Sequence, residues 1–232
     1  LFALTMVIAP ALATGNTVVV KAPDIAPYTV MRMAELMQEA GFPAGVFNLV
    51  TGGADVGAAM VAHPGIDKIQ FVGSGATAQK VLTSAAATLK PCGLELGGKS
   101  AVIVFADADI QDAAKRGLSG AISANGQGCV NGTRLLVERP IYDHYVAMLA
   151  AMAPHIPMGD PLDPATVMGP VVNEAAIQRM LSSIDHAVST DGARLVCGGQ
   201  RLGGDFATGP SLPITTPAEL RTDMAIPQHP VF

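Results

Sequence analysis

Two stretches carry residue types suited to covalent chemistry. Glu95 stands in Glu95-Leu96-Gly97-Gly98-Lys99-Ser100, and Cys129 stands in Asn125-Gly126-Gln127-Gly128-Cys129-Val130-Asn131-Gly132-Thr133-Arg134. A thiolate can attack an electrophilic carbon, and a carboxylate can take a proton from the water that later releases the product. Glycines at 126, 128 and 132 leave a thiol open space and give backbone N–H groups a route to an oxyanion. A structural cysteine more often sits in an apolar run, as Cys197 does in Leu195-Val196-Cys197, and Cys92 and Cys197 read as packing thiols. Spacing alone leaves Cys129 open between a nucleophile and a packing thiol. The histidines at 63, 144, 155, 186 and 229 show no ligand spacing, and no cysteine–histidine cluster suggests zinc, so no metal site is expected.

A third stretch, Phe71-Val72-Gly73-Ser74-Gly75-Ala76-Thr77-Ala78, matches G-x-G-x-x-A between a strand-like and a helix-like run. Such a turn can offer N–H groups and a helix N-terminus to a pyrophosphate. Glu95 lies 95 − 75 = 20 residues past the second glycine, where an ordinary dinucleotide-binding unit places its ribose acid. Glu95 therefore has two readings here, a ribose ligand or a base. Its own Gly-Gly turn, and a strand that is fourth rather than first in its block, argue for the base.

The elements that must position these residues alternate. Residues 17–21 read as a buried parallel strand, and 46–50, 68–72, 101–105, 135–137 and 195–197 as further strands. Helix-like runs cover 54–62, 76–87, 110–124, 142–153 and 175–188. Another helix begins near Pro27, with Val30, Met33, Ala34 and Met37 on one face, and Gly41-Phe42-Pro43 ends it. Residues 155–166 read as a loop, and from Gly203 onward the chain is loop-rich. Strand–helix alternation with short Gly or Pro connections predicts an α/β fold: a doubly wound, Rossmann-like parallel sheet followed by part of a second α/β domain. The boundary falls at Gly97-Gly98, giving regions 1–97 and 98–232.

Bulk composition narrows the function classes. The 232 residues are 50% hydrophobic and 14% charged, a composition that packs a core. A net charge of −5 gives no basic footprint for nucleic acid. Three cysteines cannot all pair and fit a reducing compartment, hence a cytoplasmic location. The apolar run over residues 1–13 lacks a basic n-region, is interrupted by Pro10 and is too short to span a bilayer. A start at Leu1 and an end at Phe232 look like cuts from a longer protein.

Taken together, these residues resemble the aldehyde dehydrogenase superfamily. Glu95-Leu96-Gly97-Gly98-Lys99 is similar to its glutamate signature, and Gly126-Gln127-Gly128-Cys129 with Gly132-Thr133-Arg134 to its cysteine signature. Residues 9–13 with 15–21, then Asn48, Gly52, Gly57, His63-Pro64 and residues 67–74, are similar to its cofactor region, and Gly159-Asp160-Pro161 and Gly169-Pro170 match downstream. The resemblance spans essentially the whole chain and makes it look like the middle half of a longer subunit. It implies that Cys129 is the nucleophile, with the oxyanion near its own N–H, and that Glu95 activates the hydrolytic water, which overrules the ribose reading. It further implies a dinucleotide held by Lys21, Asp24, Gly73, Ser74, Leu96 and Phe232, with Lys21 and Asp24 on the adenosine ribose. NAD is favoured over NADP, since an acid at position 24 repels a 2′-phosphate. A small aldehyde substrate and a homo-oligomer, dimer or tetramer, are implied as well.

The sequence also departs from the family pattern. The family's oxyanion asparagine falls just before Leu1. Asp24 replaces the commoner glutamate, Val72 and Gly75 stand where threonine is common, and Pro230 stands where a glutamate would hold the nicotinamide ribose. Losing one oxyanion donor costs on the order of 10²–10³ in rate. Two other functions therefore stay open: a non-catalytic nucleotide-binding relative or inactive fragment, and a coenzyme-A-acylating semialdehyde dehydrogenase. Glu95 argues against the latter.

Overall fold

The computed structural model describes residues 2–204 and 209–229. The chain divides into two compact units, one ending at Leu96 and one beginning at Gly97. In the first unit the elements run α1 (Phe2–Ala13), β1 (Val18–Lys21), α2 (Tyr28–Glu39), β2 (Phe47–Val50), α3 (Ala54–Ala62), β3 (Ile69–Gly73), α4 (Gly75–Ala86) and β4 (Cys92–Leu96). The strands pair in parallel as β1–β2 and β3–β4. Each parallel step is crossed by a helix, as the sequence alternation requires.

The helices start and stop where local chemistry dictates. Ser74 caps α4 by accepting the Thr77 N–H, and Gly41, with φ of +80°, closes the turn after α2. Val61 of α3, Ile69 of β3 and Val81 and Ala85 of α4 form a buried cluster. Lys90 is buried too, and its ammonium donates to the Val61 and His63 carbonyls at 2.8 and 2.6 Å, satisfying the end of α3.

The apolar start, to which the sequence assigns no element, folds as a helix over Phe2–Ala13 despite Pro10. Its end is held by side chains, with Thr14 Oγ1 donating to the Pro10 carbonyl at 2.8 Å and Asn16 Nδ2 to the Ala11 carbonyl at 3.1 Å. The first strand is not buried on both faces, because Val18 and Val20 are half-covered and Val19 is 46% exposed. The described strands pair two by two, and the parallel pairing agrees with the α/β class that the sequence predicts.

In the second unit the elements are β5 (Ala101–Val104), α5 (Ile110–Ile122), β6 (Arg134–Val137), α6 (Tyr142–Met152), α7 (Glu174–Ser189), β7 (Arg194–Cys197), β8 (Thr216–Ala218) and a short α8 (Ala225–Gln228). β5 and β6 pair in parallel, and β7 and β8 antiparallel. Asp109 caps α5 through the Gln111 and Asp112 N–H groups, and Asn173 caps α7 through Ala176. The core packs Val104 of β5 against Ala114, Leu118 and Ile122 of α5 and Tyr145 and Leu149 of α6. Among the described residues, no helix is long and apolar enough to cross a membrane.

Candidate functional site

α5 ends at Ile122, two residues short of the run predicted for it. Ser123 leaves the helix, and Ala124, Asn125 and Gly126 then take φ of 50°, 56° and 72°. This left-handed turn reverses the chain toward Cys129. Asn125 Oδ1 accepts the Gly169 N–H at 3.0 Å, its Nδ2 donates to the Pro170 carbonyl at 3.2 Å, and Gln127 Oε1 accepts the Val172 N–H at 3.3 Å. Asn131 is buried at the other end of the turn.

Cys129 itself is exposed, and it takes part in no hydrogen bond among the described residues. Its N–H is therefore available to an incoming oxygen. Gly128 and Gly132 also serve packing. A Cβ on Gly128 would lie 2.5 Å from Asn131 Oδ1, and one on Gly132 would strike Val102 Cγ2. The Arg134 N–H donates to the Ser100 carbonyl at 3.0 Å, and a Cβ on Gly98 would lie 3.9 Å from the Cys129 carbonyl. Both Gly-rich turns thus return to one end of the β5–β6 pair, its amino end.

Lys99 is half-buried beside this turn and has no acidic partner among the described residues. Burial pulls its ammonium below the ordinary lysine range, and the Arg134 charge pulls it further. The folded chain then holds that proton less tightly than the unfolded chain. The resulting cost is full at pH below the lowered folded value and vanishes as pH rises through the unfolded value near 10.4. Lys99→Met is expected to raise the thermal midpoint at neutral pH by about 2 °C, a figure discounted for solvent screening. The gain should shrink above about pH 10. Thermal scans of both chains at the two pH values check this.

In the first unit, Glu95 lies on β4 in register with Val72, and Leu96 with Gly73, so both sit at the carboxyl end of β3–β4 next to Ser74. The Glu95 side chain is exposed and forms no hydrogen bond or ion pair among the described residues. Leu96 is 37% exposed. The Ser74 hydroxyl is already engaged, accepting from Thr77 N–H and donating to Thr77 Oγ1 at 3.1 Å. What this end of α4 offers outward is backbone: the N–H groups of Gly75 and Ala76 have no intrahelical acceptor, and nothing lies within 4 Å of a Cβ built on Gly75. That cradle fits the pyrophosphate of a dinucleotide.

Lys21 and Asp24 meet at the carboxyl end of β1, where Lys21 Nζ donates to Asp24 Oδ1 at 2.6 Å and to the Ala22 carbonyl at 2.9 Å. Asp24 Oδ2 faces Gly53 at the start of α3, 3.8 Å from a Cβ built there. The pair is an ion pair first, with one carboxylate oxygen left for a hydroxyl donor. Phe232, expected to touch the cofactor, and Pro230 lie outside the described residues. No cluster of histidine, cysteine, aspartate or glutamate able to hold a metal occurs among the described residues. An apolar groove of about 390 Å³ between α1 and α2, lined by Ile8, Leu12, Met33 and Phe42, carries no group for chemistry.

Sequence reasoning missed the three carboxamides that clasp the cysteine turn. An asparagine or glutamine two or four residues from a cysteine has no period and no charge, so only the packing of 169–172 and the end of α5 identifies it. It also missed the buried Lys90.

A model of the aldehyde dehydrogenase family matches residues 1–232. Among solved structures, aldehyde dehydrogenase C from Pseudomonas syringae, a cysteine-to-alanine mutant with NAD+ and octanal, is 38% identical with a TM-score of 0.95, covering 98% of this chain and 47% of that one. Betaine aldehyde dehydrogenase from Staphylococcus aureus, with NAD+ and a modified cysteine, is 36% identical with a TM-score of 0.95, covering 98% and 47%. HpcC from Thermus thermophilus is 40% identical with a TM-score of 0.94, covering 98% and 45%. The chain spans less than half the length of the structures it matches.

Proposed function

Because the chain belongs to the aldehyde dehydrogenase family, we propose that it is part of an NAD-dependent enzyme that oxidises an aldehyde to a carboxylic acid through Cys129. The observation that carries this reading is the exposed Cys129 on a clasped turn, with its N–H taken by no described acceptor. Residues 1–97 form part of the dinucleotide-binding domain, and 98–232 part of the thiol-bearing domain.

The Cys129 thiolate adds to the aldehyde carbon. A C–S bond forms, the carbonyl electron pair moves to oxygen, and the Cys129 N–H donates to the resulting oxyanion. Hydride leaves the former aldehyde carbon as its C=O re-forms, which gives the Cys129 thioester, and a bound dinucleotide would supply the acceptor for that hydride. Glu95 then takes a proton from a water as its oxygen attacks the thioester carbon. The C–S bond breaks, the acid leaves, and the Cys129 thiolate is restored. Lys21 and Asp24 would hold the adenosine ribose, the Gly73–Ser74 turn and the first N–H groups of α4 would hold the pyrophosphate, and Leu96 and Phe232 are the further residues assigned to the dinucleotide. The Asp24 charge disfavours a 2′-phosphate, which makes NAD the preferred form.

The test mixes the protein with NAD+ and a panel of short, long and aromatic aldehydes, octanal included. It follows reduced-nicotinamide absorbance and identifies the product by mass. Absorbance together with free carboxylic acid supports the reading. A product formed only with coenzyme A would assign a thioester-transferring enzyme instead, and cofactor binding without turnover would assign a non-catalytic relative.

A further inference from the structure

Cys129 makes no hydrogen bond of its own among the described residues, so its position is set by its neighbours. The tightest of these is Asn131, which is 4% exposed while Val130 beside it is 79% exposed. Asn131 Nδ2 donates to the Ser123 carbonyl at 2.7 Å and to the Ala121 carbonyl at 3.1 Å. The Asn131 N–H donates to the Gly128 carbonyl at 3.2 Å, and the Thr133 N–H to the Asn131 carbonyl at 2.9 Å. Ala121 and Ser123 lie at the end of α5, where helix carbonyls lose their intrahelical donors. One carboxamide therefore satisfies two of these acceptors and ties both sides of Cys129 to a helix that packs into the core.

We propose that Asn131 is a positioning residue for Cys129, and that its two amide N–H donors, not its volume, fix the thiol and the adjacent N–H toward the substrate carbonyl. The proposal rests on the reading of Cys129 as nucleophile. The donors matter because the Nδ2 partners are both carbonyl oxygens. An isosteric carboxylate there would face two acceptors with none of its own donors, and burial would add the cost of an unpaired charge. A Cβ built on Gly128 would lie 2.5 Å from Asn131 Oδ1, so glycine at 128 leaves the carboxamide its place. A shorter donor such as serine keeps one bond.

The test compares Asn131→Asp, Asn131→Ser and the parent by two readouts. The first is hydrogen exchange of the Asn131 and Thr133 amides, which needs no turnover. In Asn131→Asp they should exchange about tenfold faster or more, the factor that one net hydrogen bond carries. Exchange within α5 and β6 should stay at parental rates, so that local release is told from global unfolding. The second is kinetic. Asn131→Asp should lower kcat by about tenfold or more with the KM for NAD+ unchanged, and Asn131→Ser should recover much of it. Parental exchange in Asn131→Asp overturns the proposal whatever the activity, and so does parental kcat with fast exchange. If the parent itself oxidises no aldehyde, the functional reading fails, and exchange still decides whether Asn131 holds the turn.

Discussion

Cys129→Ala is expected to abolish aldehyde oxidation, lowering kcat/KM by at least about 10⁴-fold, while the fold and NAD+ binding stay intact. The size follows from the role. Without the sulfur there is no atom to form the covalent adduct, and the remaining N–H at position 129 has no oxyanion to stabilise. The selectivity follows from the structure. Cys129 is exposed and makes no hydrogen bond among the described residues, so alanine there removes little packing and strands no described polar group. Its unfolding free energy should match that of the parent to within about 0.5 kcal/mol. Cys92→Ala and Cys197→Ala should behave oppositely. Both thiols are partly buried, with Cys92 packed beside Val61 and Ile69, so they should cost stability and spare turnover. Steady-state kinetics and urea unfolding on the three variants check the pattern.

Glu95→Gln should separate the two halves of the reaction. Glutamine keeps the shape of the side chain and loses the base. Because the carboxylate has no partner among the described residues, the exchange breaks no hydrogen bond or ion pair there. Addition to Cys129 and oxidation should proceed once, giving a burst of reduced nicotinamide close to one equivalent per chain. Steady turnover should then fall by roughly 10²–10⁴-fold, the usual worth of a positioned general base. Stopped-flow absorbance reads both phases. A burst followed by parental turnover would show that another group activates the water, and loss of the burst itself would place Glu95 in the first half-reaction.

The candidate residues were easier to pick out than the scaffold that holds them. Glu95 and Cys129 stood out because each breaks its surroundings: a carboxylate and a thiol among glycines, at the ends of periodic runs. The strand–helix alternation was equally plain, since Val18, Val20 and Phe71 belong to apolar β-branched or aromatic runs and Val30, Met33 and Met37 recur at helical spacing. α1 was missed because it is apolar on every side and holds Pro10, so it shows neither an amphipathic period nor a propensity for helix. The end of α5 was misplaced for another reason. Ser123, Ala124 and Asn125 are ordinary helix residues by composition, and only the Asn131 and Asn125 hydrogen bonds explain why the helix stops there. The glycines stood out in the sequence, but one part of their purpose did not: a side chain at 128 or 132 would meet Asn131 or Val102.

The most direct test of the central claim, a thioester on Cys129, is peptide mass mapping of the Glu95→Gln protein after it has been mixed with NAD+ and octanal and quenched in acid. An octanoyl group on the peptide that carries Cys129, absent when NAD+ is left out and absent from the peptides of Cys92 and Cys197, is the predicted result. An unmodified Cys129 peptide after a full burst of reduced nicotinamide, or acylation at another cysteine, would contradict the account.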